Sequence, residues 1–348
     1  MPRTPAPIDD AEAGGRGAIM VDVARLAGVS KQTVSRVFND SPSVRPETRQ
    51  KVLAAAAALG YQPNPSARAL ATGRTRTLGV ITSDATSYGP AATLQAISMA
   101  ARDAGYFVSA TPLRAMDRAA VIDSVQRLVS QSVDGIITIA SQTSVARGLA
   151  DSSHKVPLVT LDMTFDEFVP VVTVDEELGA RQAVEHLLHL GHRTVWHIGG
   201  PPDSIAAEGR ATGWRAALRA AGVPVPRMHS GDWSAASGYA TGRELARNPE
   251  VTAVFAANDQ MAMGVLRAMY EAGRRVPADV SVIGSDDIPE AAFAIPPLTT
   301  IRHNFAEIGR RCLALMLEQL EHSPRSWTRS VVESELVVRG SSGPPATR

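Results

Sequence analysis

The chain has 348 residues, 44% hydrophobic and 20% charged, with a formal net charge of zero. That length predicts two or three folding units of ordinary soluble composition. No apolar run approaches the roughly 18 residues that span a bilayer, and the single cysteine, Cys312, excludes an internal disulfide framework or a cysteine-rich zinc site.

Residues 1–18 are rich in Pro, Gly, Ala and Asp and read as a disordered tail. They carry acids and no apolar core, so they do not read as a secretory leader, and a cytoplasmic protein with no membrane association is expected. Three short helices are expected over 19–62. Met20 to Ala27 forms the first, and Gly28-Val29 supplies a turn. Ser30 suits the N-cap of a second helix, Lys31 to Asn39. Pro46 opens a third, which runs to Leu59, with Gly60 just past its end. Residues 63–76 have linker composition, within which Ser66 to Ala71 has room for one or two helical turns. Cys312, in LALMLEQL, reads as a small core residue.

From Thr77 the pattern becomes short β-rich runs alternating with amphipathic helices. The strands are expected at 78–82, 106–110, 135–140, 157–161, 171–174, 194–198, 253–257 and 281–285. Helices are expected at 90–104, 117–131, 176–190, 204–221, 235–246, 259–273 and 304–321. Such alternation predicts an α/β fold with parallel sheets. Eight strands with so little connecting chain fit two similar doubly wound halves better than one sheet. The expected architecture is therefore a small all-α helix-turn-helix head (19–62), a linker (63–76), and an α/β body of two doubly wound parallel-sheet lobes (77–340). Residues 341–348 read as a tail.

The head has the chemistry of a nucleic-acid reader. Val23, Ala24 and Ala27 of the first helix, with Val34 and Val37 of the second, form an inward face. The other face of the second helix carries Lys31, Gln32, Ser35 and Arg36. Gln pairs with adenine edges and Arg with guanine edges across the major groove. Ser30 and Thr33, at the helix N-terminus, suit phosphate contacts. Charge supports this reading weakly: residues 1–76 hold 11 Lys and Arg against 6 Asp and Glu, and the remainder holds 24 against 29. On spacing alone, a generic small helical domain with a solvated polar face fits as well.

In the body, polar groups gather after predicted strands: Ser83 and Asp84, Asp162, Gly199-Gly200, Asn258 and Asp259, Asp286 and Asp287. Ligands of open parallel sheets bind at those carboxyl ends. Asp259, ahead of QMAMGVLRAM, reads instead as a helix cap. A sugar needs hydroxyl partners and an apolar face. Asp162, Asn258, Asp286 and Arg210 suit the first role, and Trp233 the second. An oxidoreductase is disfavoured because no strand runs into G-x-G-x-x-G, and a hydrolase because there is no G-x-S-x-G elbow. His186, His189 and His192 are spaced by three, but with no H-E-x-x-H they read as a partly exposed helix face rather than a metal site.

The run DVARLAGVSKQTVSRVFN, followed by VRPETRQKV and GYQPNPSARAL, resembles the lactose repressor family of transcriptional regulators. GDWSAASGY, AANDQMAMGVLRAM and IPPLTTIRHNF extend the resemblance over about residues 19–340. It implies a body of the periplasmic binding protein type. The N-lobe would comprise about 77–174 and 303–329, and the C-lobe about 175–302 and 330–340, with crossovers near Asp175, Arg302 and Ser330. It implies a homodimer on palindromic operator DNA, no catalytic activity, no cofactor, and a small sugar effector, galactoside-like or another hexose derivative. A sugar-binding protein without regulatory DNA binding is the alternative.

By the same resemblance Lys31, Gln32 and Arg36 read bases, while Asn39 and Ser43 meet the DNA backbone. Asn64 to Ala71 matches a hinge helix that orders on DNA, and Leu70 stands where the family wedges a side chain into the minor groove. In the cleft, Asp162, Arg210, Trp233, Asn258 and Asp286 match effector contacts, Phe305 an apolar wall, and Pro90 with Gly89 a lip. Departures from the family pattern occur at Lys31 (a tyrosine there), Ala206 (a serine), Ser87 (a leucine) and His303 (a glutamine). The last three are expected at the rim. The C-terminal GSSGPPATR lacks leucine heptads, which favours a dimer over a tetramer. Helix 90–104 and residues near Ser87 to Thr93 are the expected dimer contacts.

Overall fold

The computed structural model describes residues 18–39, 41–62, 64, 69–70, 72–82, 87–113, 117–139, 156–161, 169–321 and 328–346. The chain divides into two compact units, residues 1–75 and 76–348.

In the first unit, helices α1 (Met20–Ala27), α2 (Lys31–Phe38) and α3 (Pro46–Ala58) enclose a core of Val23, Ala24, Val34, Val37, Val52, Ala55 and Ala56. Gly28 ends α1 in the left-handed region, φ 67°, where a side chain would be strained. Ser30 caps α2 by accepting from the Thr33 amide at 3.1 Å. Arg49 of α3 donates to the carbonyls of Val37 (3.2 Å) and Ser41 (3.0 Å), which ties the end of α2 and the following loop to α3.

The second unit contains two six-stranded sheets. The first joins β1 (Thr77–Thr82), β2 (Phe107–Pro112), β3 (Gly135–Ile139), β4 (Leu158–Leu161), β5 (Val171–Val174) and β11 (Arg329–Val332), in the order β2-β1-β3-β4-β5-β11 and parallel throughout. The second joins β6 (Trp196–Gly199), β7 (His229–Ser230), β8 (Ala253–Ala256), β9 (Ser281–Asp286), β10 (Thr299–His303) and β12 (Ser334–Val337), in the order β7-β6-β8-β9-β10-β12. Only the β10–β12 pair of this sheet is antiparallel. The two lobes thus repeat one strand order, and each has its switch point beside its first strand.

Helices α4 (Tyr88–Asp103), α5 (Arg118–Ser130) and α10 (Phe305–Glu321) cover the first sheet. Helices α6 (Glu176–His189), α7 (Ile205–Ala220), α8 (Ala235–Ala246) and α9 (Asp259–Glu271) cover the second. Strands such as GIITI are buried along their whole length, as a sheet covered on both faces requires. Cys312 is fully buried in the first lobe's core.

Several expectations change. Four strands escaped prediction: β7, β10, β11 and β12. Of these β10 and β12 lie at a lobe crossover. The third crossover falls at Glu333 rather than Ser330, because β11 completes the first sheet. Residues 341–346 are not a loose tail. Ser341 is fully buried; its hydroxyl donates to the Val282 carbonyl at 2.6 Å and accepts from the Thr299 amide at 2.8 Å. His192, expected on an exposed helix face, is buried after the end of α6, where its ring bonds Thr252 (3.0 Å), Ser281 (3.1 Å) and the Gly343 carbonyl (3.0 Å). That ring fastens the C-terminal segment to the second lobe. Among the described residues no group of His, Cys, Asp or Glu has the arrangement of a metal site, and no helix is long and apolar enough to cross a membrane.

Candidate effector cleft and nucleic-acid interface

The carboxyl ends of both sheets face one cleft within the second unit. Ile139, Leu161 and Val174, at the ends of β3, β4 and β5, line one side. Asn258, Asp286 and His303, at the ends of β8, β9 and β10, line the other with Arg210 and Trp233. Ser87, Tyr88, Gly89 and Pro90, where α4 begins, and Phe305, where α10 begins, close the apolar side. The described effector contacts expected from the resemblance line it: Ser87, Pro90, Arg210, Trp233, Asn258, Asp286, His303 and Phe305; Gly199, Gly200 and Asp287, which also follow strands, are not among its lining residues. Asp162, Ser83 and Asp84 lie outside the described residues.

A buried polar cluster forms the floor. Arg210 donates from Nε to Glu176 Oε2 at 2.8 Å and from Nη2 to Glu176 Oε1 at 3.1 Å. Its Nη2 also reaches Asp286 Oδ1 at 3.4 Å, and Nη1 donates to the Ala257 carbonyl. The Arg210 and Glu176 side chains are only 7% and 11% exposed. Burial pushes the Glu176 carboxyl up, but the charge of Arg210 and its hydrogen bonds hold it below its ordinary value. Burial dominates at Asp286, which is pushed up to about 7 against the pull of Arg210, with Glu176 adding to the rise.

His303 is not at the rim. It is buried, with Nδ1 3.0 Å from Ser334 Oγ and Nε2 3.1 Å from Ser285 Oγ and 3.3 Å from Arg210 Nη2. A guanidinium only donates, so Nε2 accepts and Nδ1 carries the proton. Burial, opposed by Glu176, lowers this imidazole to about 4. The ring is therefore a neutral spacer in the floor at physiological pH.

Trp233 supplies the aromatic wall. Its backbone is left-handed, φ 72°, a costly state for a bulky residue. Asn258 Nδ2 holds it by donating to the Trp233 carbonyl at 2.9 Å, and the Arg210 guanidinium sits 5.6 Å from the indole centroid. Gly200 makes the stacking possible, since a Cβ there would lie 2.3 Å from the ring. The cap at α9 is Asn258, not Asp259: Asn258 Oδ1 accepts from the Met261 amide at 2.9 Å. Asp259 is buried instead against the Thr300 hydroxyl (2.6 Å) and the Ile288 amide (2.9 Å). Burial, with Asp286 nearby, raises its carboxyl to about 8.

Sequence reasoning missed Glu176 and Tyr88. Glu176 follows Asp175 at the first crossover, where a polar residue after a strand end is itself a signal. Tyr88 packs edge-on against Phe305, with ring centroids 5.7 Å apart.

In the first unit, Lys31, Gln32 and Arg36 are exposed along one side of α2, with Ser35 and Thr33 half-buried beside them. Val34 and Val37 point inward. The Ser30 hydroxyl, expected to meet phosphate, already pairs with Thr33 Oγ1 at 2.9 Å and caps the helix. Asn39 is exposed at the end of α2, 3.5 Å from Ser35 Oγ, and Ser43 is exposed with its hydroxyl 2.8 Å from Ser41 Oγ. Asn64 is exposed. Ala69, Leu70 and Thr72 are helical, and the Gly73 amide donates to the Ala69 carbonyl at 2.8 Å. Leu70 is 91% exposed, an apolar side chain that nothing in its own unit covers. The rest of the expected hinge helix lies outside the described residues.

Comparisons with known proteins agree with both halves. Residues 19–64 match the model of bacterial regulatory proteins of the lacI family, and residues 184–342 match a periplasmic binding protein-like domain. The lactose operon repressor of Escherichia coli (strain K12) is 37% identical over 303 residues, 86% of this chain and 84% of its own length. A crystal structure of the Lac repressor dimer bound to operator and the anti-inducer ONPF superposes with a TM-score of 0.82 at 34% identity, covering 94% of this chain and all of that one. The transcriptional regulator CelR in complex with cellobiose superposes with a TM-score of 0.70 at 33% identity, covering 93% and 99%. A reading head, a two-lobed body and this degree of identity over most of both chains place the protein in the lacI family of bacterial regulatory proteins.

Proposed function

We propose that the chain is a dimeric, sugar-controlled transcriptional repressor without catalytic activity. Two heads grip a palindromic operator, and a hexose-derived sugar, galactoside-like or a close relative, enters the cleft and alters that grip. The observation that carries the reading is the union, in one chain, of an exposed Lys31–Gln32–Arg36 face on a helix-turn-helix and a cleft that pairs carboxylates with an aromatic wall. The relatives named above include one on operator DNA and one holding cellobiose.

In this reading Lys31, Gln32 and Arg36 read base edges, while Ser30, Thr33, Ser35, Asn39, Ser43 and Asn64 position the head on the DNA backbone. Leu70 of each protomer wedges into the minor groove. Trp233 and Phe305 stack on the sugar ring, and Asp162, Asn258, Asp286 and Arg210 meet its hydroxyls, with Ser87, Pro90 and His303 completing the enclosure. Two protomers meet along α4, so a change in lobe angle reaches the linker that carries Leu70. Linkage then requires operator and sugar to weaken each other by the same factor. The protein works in the cytoplasm, where operator and free sugar coexist.

The test is a mobility shift against palindromes selected from random duplexes, with and without mono- and disaccharides. Retardation of a specific palindrome, reversed by one sugar, is the expected result. Failure to enrich any palindrome, with or without sugars, overturns the proposal.

A further inference from the structure

We propose that Glu176 sets the charge class of the effector: the cleft admits a polyol without negative charge and rejects phosphorylated or carboxylated sugars. This rests on the sugar-binding reading above and narrows it.

Among the described residues that line the cleft, Arg210 is the only cation. An incoming phosphate or carboxylate is normally captured by the two-pronged edge of such a guanidinium. Here that edge already carries a carboxylate, with Nε and Nη2 of Arg210 both donating to Glu176. Nη2 is shared further with Asp286, and Nη1 faces the Ala257 carbonyl. Two acidic side chains therefore surround one basic one, and His303 adds no charge because burial keeps its ring neutral. The cluster is nearly closed to solvent, so water and salt screen these charges little. A second anion would have to displace Glu176 from its partner inside a low-dielectric space. A hydroxyl faces no such penalty, because the carboxylate oxygens accept from it and Trp233 packs on its ring.

Exchanging the charge of Glu176 for an amide of the same shape should turn the Arg210 edge into an anion receptor. The experiment is calorimetric titration of the intact protein with glucose, galactose, lactose and cellobiose, each against its 6-phosphate, together with glucuronate and galacturonate. It is run on the wild type, Glu176→Gln and Glu176→Asp. The wild type should bind its preferred neutral sugar at least about a hundredfold tighter than the matching anion, as juxtaposed like charges demand. Glu176→Gln should narrow that gap at least about tenfold, and Glu176→Asp, which keeps the charge, should not. A wild type that binds a sugar phosphate or uronate as tightly as the neutral parent overturns the proposal without needing any variant to fold. So does a folded Glu176→Gln protein that discriminates as strictly as the wild type. Binding of none of these sugars, charged or neutral, removes the sugar reading itself and this proposal with it.

Discussion

Trp233 shows most directly how single residues shape the cleft. Its left-handed backbone, its packing on Gly200 and the Asn258 bond to its carbonyl hold the indole at the wall of the cleft. Trp233→Ala should abolish sugar-dependent thermal stabilisation while leaving operator binding in the absence of sugar intact, giving a repressor that no sugar releases. A mobility shift titrated with sugar checks this; normal release by sugar would mean that the indole does not touch the effector. Gly200→Ala should act in the same direction, because the new methyl collides with the ring. In the head, Arg36→Ala should cost about 1–3 kcal/mol of operator affinity and relax preference at one base pair per half-site. Competition among single-base operator variants reads that loss. A uniform loss across all variants would reassign Arg36 to a phosphate contact.

Elements depend on a few polar ties. Helix α2 is only eight residues long, too short to persist alone in water. It stands because Ser30 caps one end, Arg49 clasps the other, and Val34 and Val37 seal against α1 and α3. Ser30→Ala should lower the stability of the head by about 1 kcal/mol, seen as faster amide exchange across 31–38 with exchange in the body unchanged. The turn around Leu70 exposes that leucine to solvent and is closed by the Gly73 amide, which donates to the Ala69 carbonyl. Leu70→Ala should weaken operator binding and reduce DNA bending together, measured by permuted-site gel mobility. Unchanged bending would remove the wedge from the mechanism.

At the scale of the whole molecule, buried ionisable groups set a window of stability. His197 and His303 are lowered by burial to about 4, well below the ordinary imidazole range. Their unfolded forms take up protons first, so the stability they confer is present above about pH 6.5 and is lost as pH falls toward 4. Asp286 and Asp259 run the other way. Raised by burial to about 7 and about 8, they contribute stability that is full below about pH 4, where the unfolded carboxyls are protonated too, and that is lost as pH rises from there through those values. The two trends oppose each other below about pH 6.5, so the melting temperature of the body should change little there and fall between about pH 6.5 and 8, and Asp259→Asn should flatten that fall. Scanning calorimetry from pH 4.5 to 9.5 decides; a profile that rises between pH 6.5 and 8 contradicts the raised carboxyls.

Local pattern was enough for the head, the alternation of strands and helices, and the idea of two similar lobes, because periodicity and caps are written over a few neighbouring residues. The cleft was legible too, in that Asn258 and Asp286 follow predicted strands that converge on it. What short-range pattern could not supply was partnership. Asn258 and Asp259 are adjacent and equally suited to cap a helix, and only packing sends one to the cap and buries the other. Glu176 looks like any first-turn acid until α7 brings Arg210, 34 residues away, against it. His192 and Ser341 read as exposed until the C-terminal segment closes over the second lobe. A residue's own neighbours set its backbone, while burial and charge depend on groups far along the chain, and those meet only when the sheets have formed.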